Sequence, residues 1–149
     1  MRIFGRSVMQ KKLRVFIDTS ALLAGLNSPY GAAGTILAAC FAHDLITIIS
    51  PQIIEEAERN IPIKFPHLTT SWAAFVLIPP IITRKPSLAE VRRAYKILPT
   101  SDAPILASAV TAKPDALITW NTKDFLRKEV IASVPFPIFI PQQFLERFL

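Results

Sequence analysis

Apolar and polar positions alternate along this chain in short blocks of two kinds. Val15-Phe16-Ile17 is wholly apolar and runs straight into Asp18, after which T-S-A-L-L-A-G-L begins. A brief apolar run closed by a polar residue and followed by an Ala/Leu-rich segment predicts a buried strand turning into a helix. Asn27-Ser28-Pro29-Tyr30-Gly31 is a turn cluster. Ala32 to Phe41 predicts a second helix with Ile36, Leu37, Cys40 and Phe41 on one face, broken at His43-Asp44. Leu45 to Ile49 predicts a second buried strand. Ser50-Pro51 opens a third helix with proline in its first turn. Ile53, Ile54, Ala57 and Ile61 form its inward stripe, and Pro62 is expected to end it.

Residues 62–86 hold a weaker pattern. His67 to Phe75 suits a helix, and either Phe75 to Ile78 or Ile81 to Thr83 suits a strand, while Pro62, Pro66, Pro79 and Pro80 argue against any long element before Pro86. The apolar surface around Trp72 and Phe75 fits a partner or dimer face as well as it fits core. Ser87-Leu88-Ala89-Glu90 reads as a capping box. It opens a helix with Val91, Ala94, Tyr95 and Leu98 on one side. Thr100-Ser101-Asp102 begins another, with Pro104 in its first turn and Ile105, Leu106, Ala109 and Val110 facing inward. Ala116 to Trp120 is a strand, Asn121 to Asp124 starts a short helix, Pro135 to Ile140 suits an edge strand, and Gln142 to Leu149 closes the chain as a helix. This alternation predicts an α/β fold: a three-layer α/β/α sandwich with a mostly parallel central sheet, formed as one domain by residues 14–149.

Composition adds two points. The chain of 149 residues is 51% hydrophobic with a mean hydropathy of +0.38, yet no apolar run is long enough to span a bilayer. The surplus suits a large core or a face covered by a partner or a second copy. The net charge of +6 is uneven, because residues 1–14 carry five basic residues and no acid. Residues 1–13 are thus expected to form a basic arm, solvated or in touch with phosphates, beside a nearly neutral body. With no secretory signal and Cys40 as the lone cysteine, the expected compartment is the cytoplasm.

Four acids occupy comparable places. Asp18 ends the first strand; Glu56 lies on the helix after the second, one residue before Ala57; Asp102 starts the helix bearing Ile105; Asp124 follows the Ala116 strand. In a parallel sheet three or four of them converge on one rim, where ligands of open α/β folds bind. Each acid taken singly also has a plain role, Asp18 and Asp102 at helix starts and Glu56 on a solvated face. Together they form an oxygen-only set suited to Mg²⁺ or Mn²⁺. His43 and His67 lack metal-ligand spacing, and four glycines leave no phosphate-binding glycine loop. A receiver-like phosphoacceptor domain would need a second acid after the first strand.

The segments V-F-I-D-T-S-A-L-L-A-G-L, I-S-P-Q-I-I-E-E-A-E-R-N-I, D-A-P-I-L-A-S-A-V and A-L-I-T-W-N-T-K-D-F, in that order, resemble the PIN domain, the fold of many small ribonucleases including toxins of toxin–antitoxin pairs (VapC-like). The resemblance implies a ribonuclease dependent on Mg²⁺ or Mn²⁺. Its catalytic acids would be Asp18, Glu56, Asp102 and Asp124, with Asp18, Asp102 and Asp124 as metal ligands and Glu55 as the rival of Glu56. Ser20, Thr119 and Asn121 would give polar support beside the metal, Asn121 competing with Asp124 for the fourth position. RNA and, for toxin members, an antitoxin are the implied partners. Two slots where relatives often carry acids hold Pro99 and Asn121 here. That departure supports a second expectation, a PIN-like module that binds nucleic acid or protein without cleaving.

Overall fold

Five strands, β1 (Leu13–Ile17), β2 (Leu45–Ile49), β3 (Ile81–Ile82), β4 (Ala116–Ile118) and β5 (Ile138–Phe139), pair side by side in the order β3-β2-β1-β4-β5, every pair parallel. The computed structural model describes residues 11–77 and 80–149. Most of the expected basic arm, together with Ile78 and Pro79, lies outside them. The connections are α1 (Thr19–Asn27), α2 (Ala32–Phe41), α3 (Pro51–Lys64), α4 (Thr69–Leu77), α5 (Leu88–Ile97), α6 (Ala103–Ala112), α7 (Thr122–Phe125), α8 (Lys128–Ser133) and α9 (Pro141–Phe148). The fold is the expected three-layer α/β/α sandwich, and no described helix is long and apolar enough to cross a membrane.

The central strands are apolar on both faces, as strands covered on both sides must be. Val15, Phe16, Ile17, Ile48, Ile49, Leu117 and Ile118 are buried, and Leu22, Ile53, Ile105, Leu106, Phe125 and Phe144 pack around them. Each large side chain removed from water contributes about 1.5–3 kcal/mol, so the strand ends that carry the acids stand on a rigid base. Local signals set the helix limits. Asp18 starts α1, Ser50 Oγ accepts from Ile53 N at α3, and Ser87 with Glu90 closes the capping box of α5. α2 ends in a Schellman turn: His43 N donates to Cys40 O, Asp44 N donates to Ala39 O, and His43 takes a φ of 62°. After α1 the chain reverses so tightly that a Cβ at Gly34 would collide with the carbonyl oxygens of Ser28 and Pro29.

Several expectations are corrected. Pro62 does not end α3, which continues to Lys64. Burial of Ile61 holds that last turn in place, and Phe65 N closes it on Ile61 O. Phe75 to Leu77 is helical, and the strand is the shorter Ile81–Ile82 at the sheet edge. Trp72 and Phe75 are core: they stack at 5.9 Å, and Phe41 meets Phe75 edge-on at 6.0 Å. Tyr95 and Val110 are exposed, because α5 and α6 turn Ala94, Leu98, Ile105 and Ala109 inward instead. β4 stops at Ile118, short of Trp120, and β5 is narrower than Pro135 to Ile140.

Candidate active site

With β2 on one side of β1 and β4 on the other, the chain leaves β1 in one direction and later returns to its opposite edge. The crevice beyond the carboxyl ends of β1 and β4 is therefore the switch point where open α/β sheets bind ligands. Asp18 stands there, 4% exposed. Its backbone N–H donates to Ile118 O across the β1–β4 pair at 3.0 Å.

Asp18 is fixed at both oxygens. Oδ1 accepts from Thr19 N at 2.7 Å, a cap on the first turn of α1. Oδ2 accepts from Ser20 Oγ at 2.8 Å and from Thr119 Oγ1 at 2.7 Å. Each hydroxyl also receives a bond from the β4–α7 turn: Trp120 N donates to Ser20 Oγ and Asn121 N to Thr119 Oγ1, both at 2.9 Å. Two hydroxyls thus clasp the turn after β1 to the turn after β4, with the carboxylate between them. Burial raises the proton affinity of Asp18, and these hydroxyls and backbone N–H groups oppose the rise.

Asp102 sits where α6 begins but does not cap it, leaving its carboxyl free to face the crevice. Asn121 Nδ2 donates to Asp102 Oδ2 at 2.8 Å and to Asp124 Oδ2 at 3.3 Å, while Asn121 Oδ1 accepts from Asp124 N as the cap of α7. One amide therefore bridges two carboxylates. Burial first, then the closeness of the Asp124 carboxyl and the charges of Asp18, Glu56 and Asp124, push Asp102 up to about 7. Glu56 is half-buried on α3 while Glu55 is exposed. The buried Ile53 and Ala57 fix the rotation of the helix, and that rotation brings Glu56, rather than its neighbour, toward Asp18. Burial raises the proton affinity of Glu56, and Asp18 adds to the rise against the Thr19 hydroxyl and Arg59. Thr19 Oγ1 itself is buried and lies near the Glu56 carboxyl without a hydrogen bond of ordinary geometry. Sequence reasoning passed over Thr19, whose place in D-T-S signals only a helix start.

All four acids named from the sequence, with Ser20, Thr119 and Asn121, thus meet at one rim. The described ion pairs are Arg84–Glu90 and Arg127–Glu129, so none of the four is neutralised by a salt bridge among the described residues. Crowded, unneutralised carboxylates with an orphaned hydroxyl beside them have the donor chemistry of a hard divalent cation site. The ligand set is not closed as it stands. No three Asp, Glu, His or Cys side chains among the described residues are grouped to hold an ion. Asn121 holds Asp102 and Asp124, and the Asp18 oxygens are turned onto hydroxyls and backbone.

Comparison with known proteins accords with this geometry. A family model described as PIN domain matches residues 14–123. The crystal structure of PAE2754 from Pyrobaculum aerophilum superposes with a TM-score of 0.62 at 16% identity, covering 97% of this chain and 96% of that one. That of VapBC2 from Rickettsia felis, bound to a DNA fragment from their promoter, gives 0.59 at 17% identity, covering 86% and 98%. At these identities the likeness is one of fold. A comparison with curated proteins gives no match.

Proposed function

Because this chain belongs to the PIN-domain family, we propose that it is a ribonuclease that hydrolyses RNA phosphodiester bonds with Mg²⁺ or Mn²⁺. The observation that carries the reading is the meeting of Asp18, Glu56, Asp102 and Asp124 at the switch point without a compensating ion pair among the described residues. On this reading Asp18, Asp102 and Asp124 hold the ion, in competition with the Asn121 amide for the oxygens of Asp102 and Asp124. A divalent ion held by carboxylates supplies an activated water and offsets charge that develops on a phosphate.

The chain's own residues prepare that chemistry. Ser20 and Thr119 keep Asp18 in one orientation, and the buried β1–β4 pair keeps it at the crevice mouth. Asp102, pushed up to about 7, would give its proton to solvent on taking up a cation. Glu56 is the candidate for exchanging a proton at its carboxyl oxygen beside the attacked phosphate.

The same reading makes the chain the toxin of a toxin–antitoxin pair, active in the cytoplasm as a homodimer, with an antitoxin protein as inhibitor. It also divides the chain into a basic arm, residues 1–13, and one domain, residues 14–149. Family membership and the fold shared with VapBC2 support the toxin assignment. A second reading, a PIN-like module that binds without cleaving, is favoured by the amide bridge of Asn121 across Asp102 and Asp124. Cleavage of single-stranded RNA with Mn²⁺, set against chelated protein and against Asp18→Asn and Asp102→Asn, decides between them. Loss of cleavage in all three supports the nuclease. Absence of cleavage by the unaltered protein supports the module.

A further inference from the structure

The chain has two tryptophans with opposite placements. Trp72 is core, stacked on Phe75, whereas Trp120 is 43% exposed in the turn after β4, between Thr119 and Asn121. A large exposed indole forfeits the burial that ordinarily holds tryptophan in a fold. Its backbone is nonetheless pinned on both sides. Trp120 N donates to Ser20 Oγ at 2.9 Å and Trp120 O accepts from Thr122 N at 3.0 Å. The residue before it, Thr119, donates to Asp18, and the residue after it, Asn121, donates to Asp102 and Asp124. The indole is thus carried by the same clasp that orients the acids.

Charge explains why such a group is needed. The rim presents four carboxylates to a polyanion, and residues 15–149 together carry only one net positive charge. Phosphate attraction, which dominates most nucleic-acid binding, is weak from this body. Base stacking on an aromatic face is independent of charge and tolerant of sequence, and unpaired bases offer it while paired bases do not. Lys123, exposed three residues on from Trp120 and making no ion pair among the described residues, can meet a phosphate beside the stacked base.

We propose that Trp120 is the stacking platform for an unpaired base next to the bond to be cut, so that the site selects single-stranded over duplex RNA. This rests on the nuclease reading but has its own test. In Trp72→Phe protein, Trp120 is the sole tryptophan and reports directly. With EDTA present to prevent hydrolysis, titration with a single-stranded oligouridylate is expected to quench its emission saturably, and a duplex of equal length is not. In steady-state cleavage with Mn²⁺, Trp120→Ala raises KM for single-stranded RNA by about 5- to 50-fold with a smaller change in kcat, and Trp120→Phe recovers most of the loss. Cleavage with unchanged KM in Trp120→Ala, or emission indifferent to single strands, overturns the platform and leaves the nuclease reading standing. Quenching by single strands without any cleavage overturns the nuclease reading and retains the platform.

Discussion

Replacing Asp102 by asparagine tests the electrostatics of the rim most sharply. The carboxyl is pushed up from 3.8 to about 7, first by burial and then by the closeness and charges of its acidic neighbours. An acid whose proton affinity is raised on folding binds more protons in the native than in the unfolded state between those two pH values. Stability from this group is therefore full below pH 4 and falls as pH rises toward 7, levelling off above. The interval corresponds to about 4 kcal/mol at the full conversion of 1.36 kcal/mol per pH unit. Because the group is only partly buried and is coupled to neighbouring acids, about 1–2 kcal/mol is the realistic share. Asparagine mimics the neutral form and can keep the contact with Asn121. Thermal melts in EDTA should show the unaltered protein losing about 2–8 °C more than Asp102→Asn between pH 5 and pH 8. Burial raises Asp18 and Glu56 in the same direction, so a residual slope in the variant is expected; the difference between the two proteins isolates Asp102. Identical slopes, or a steeper fall in the variant, would refute the reasoning.

Two further consequences concern neighbouring residues. Thr119→Val keeps the shape but removes the hydroxyl that donates to Asp18 and accepts from Asn121 N. Urea unfolding should show a loss of about 2–4 kcal/mol, with Thr119→Ser close to the unaltered protein. Cys40 is buried and its thiol is pushed up to about 11 by desolvation, so labelling with a thiol reagent at pH 8 should proceed at the rate of unfolding and become fast only in denaturant.

The sequence made the acids legible because each sits beside a strong local signal. Asp18 follows a run of three apolar residues, Glu56 is phased by Ile53 and Ala57, and Asp124 follows the Ala116 strand and the cap residue Asn121. Strand–helix alternation implies a parallel sheet, but neither the adjacency of β1 and β4 nor the clasp through Ser20 and Thr119, which joins residues 100 apart in sequence, has a local signature. The amide bridge from Asn121 to Asp102 is likewise non-local. The misread places have more than one cause. Tyr95 and Val110 follow from helical spacing, and spacing alone cannot tell which flank of an apolar stripe tertiary packing will cover. Pro62 reads as a helix stop by residue type, and the burial of Ile61 overrides it. Phe75 to Leu77 fits either period over so short a run, and only its stacking against Trp72 and Phe41 makes it helix.

The central claim is that the four rim acids serve a divalent ion in RNA hydrolysis. It is tested most directly by the rate of cleavage of a single-stranded RNA with and without Mn²⁺, by the unaltered protein and by Asp18→Asn of confirmed fold. The account predicts cleavage only with Mn²⁺ and its near abolition in the variant, since asparagine in place of Asp18 removes the charge that Ser20 and Thr119 hold in position. Cleavage of equal rate in the two proteins, or cleavage indifferent to Mn²⁺ and chelator, would contradict it.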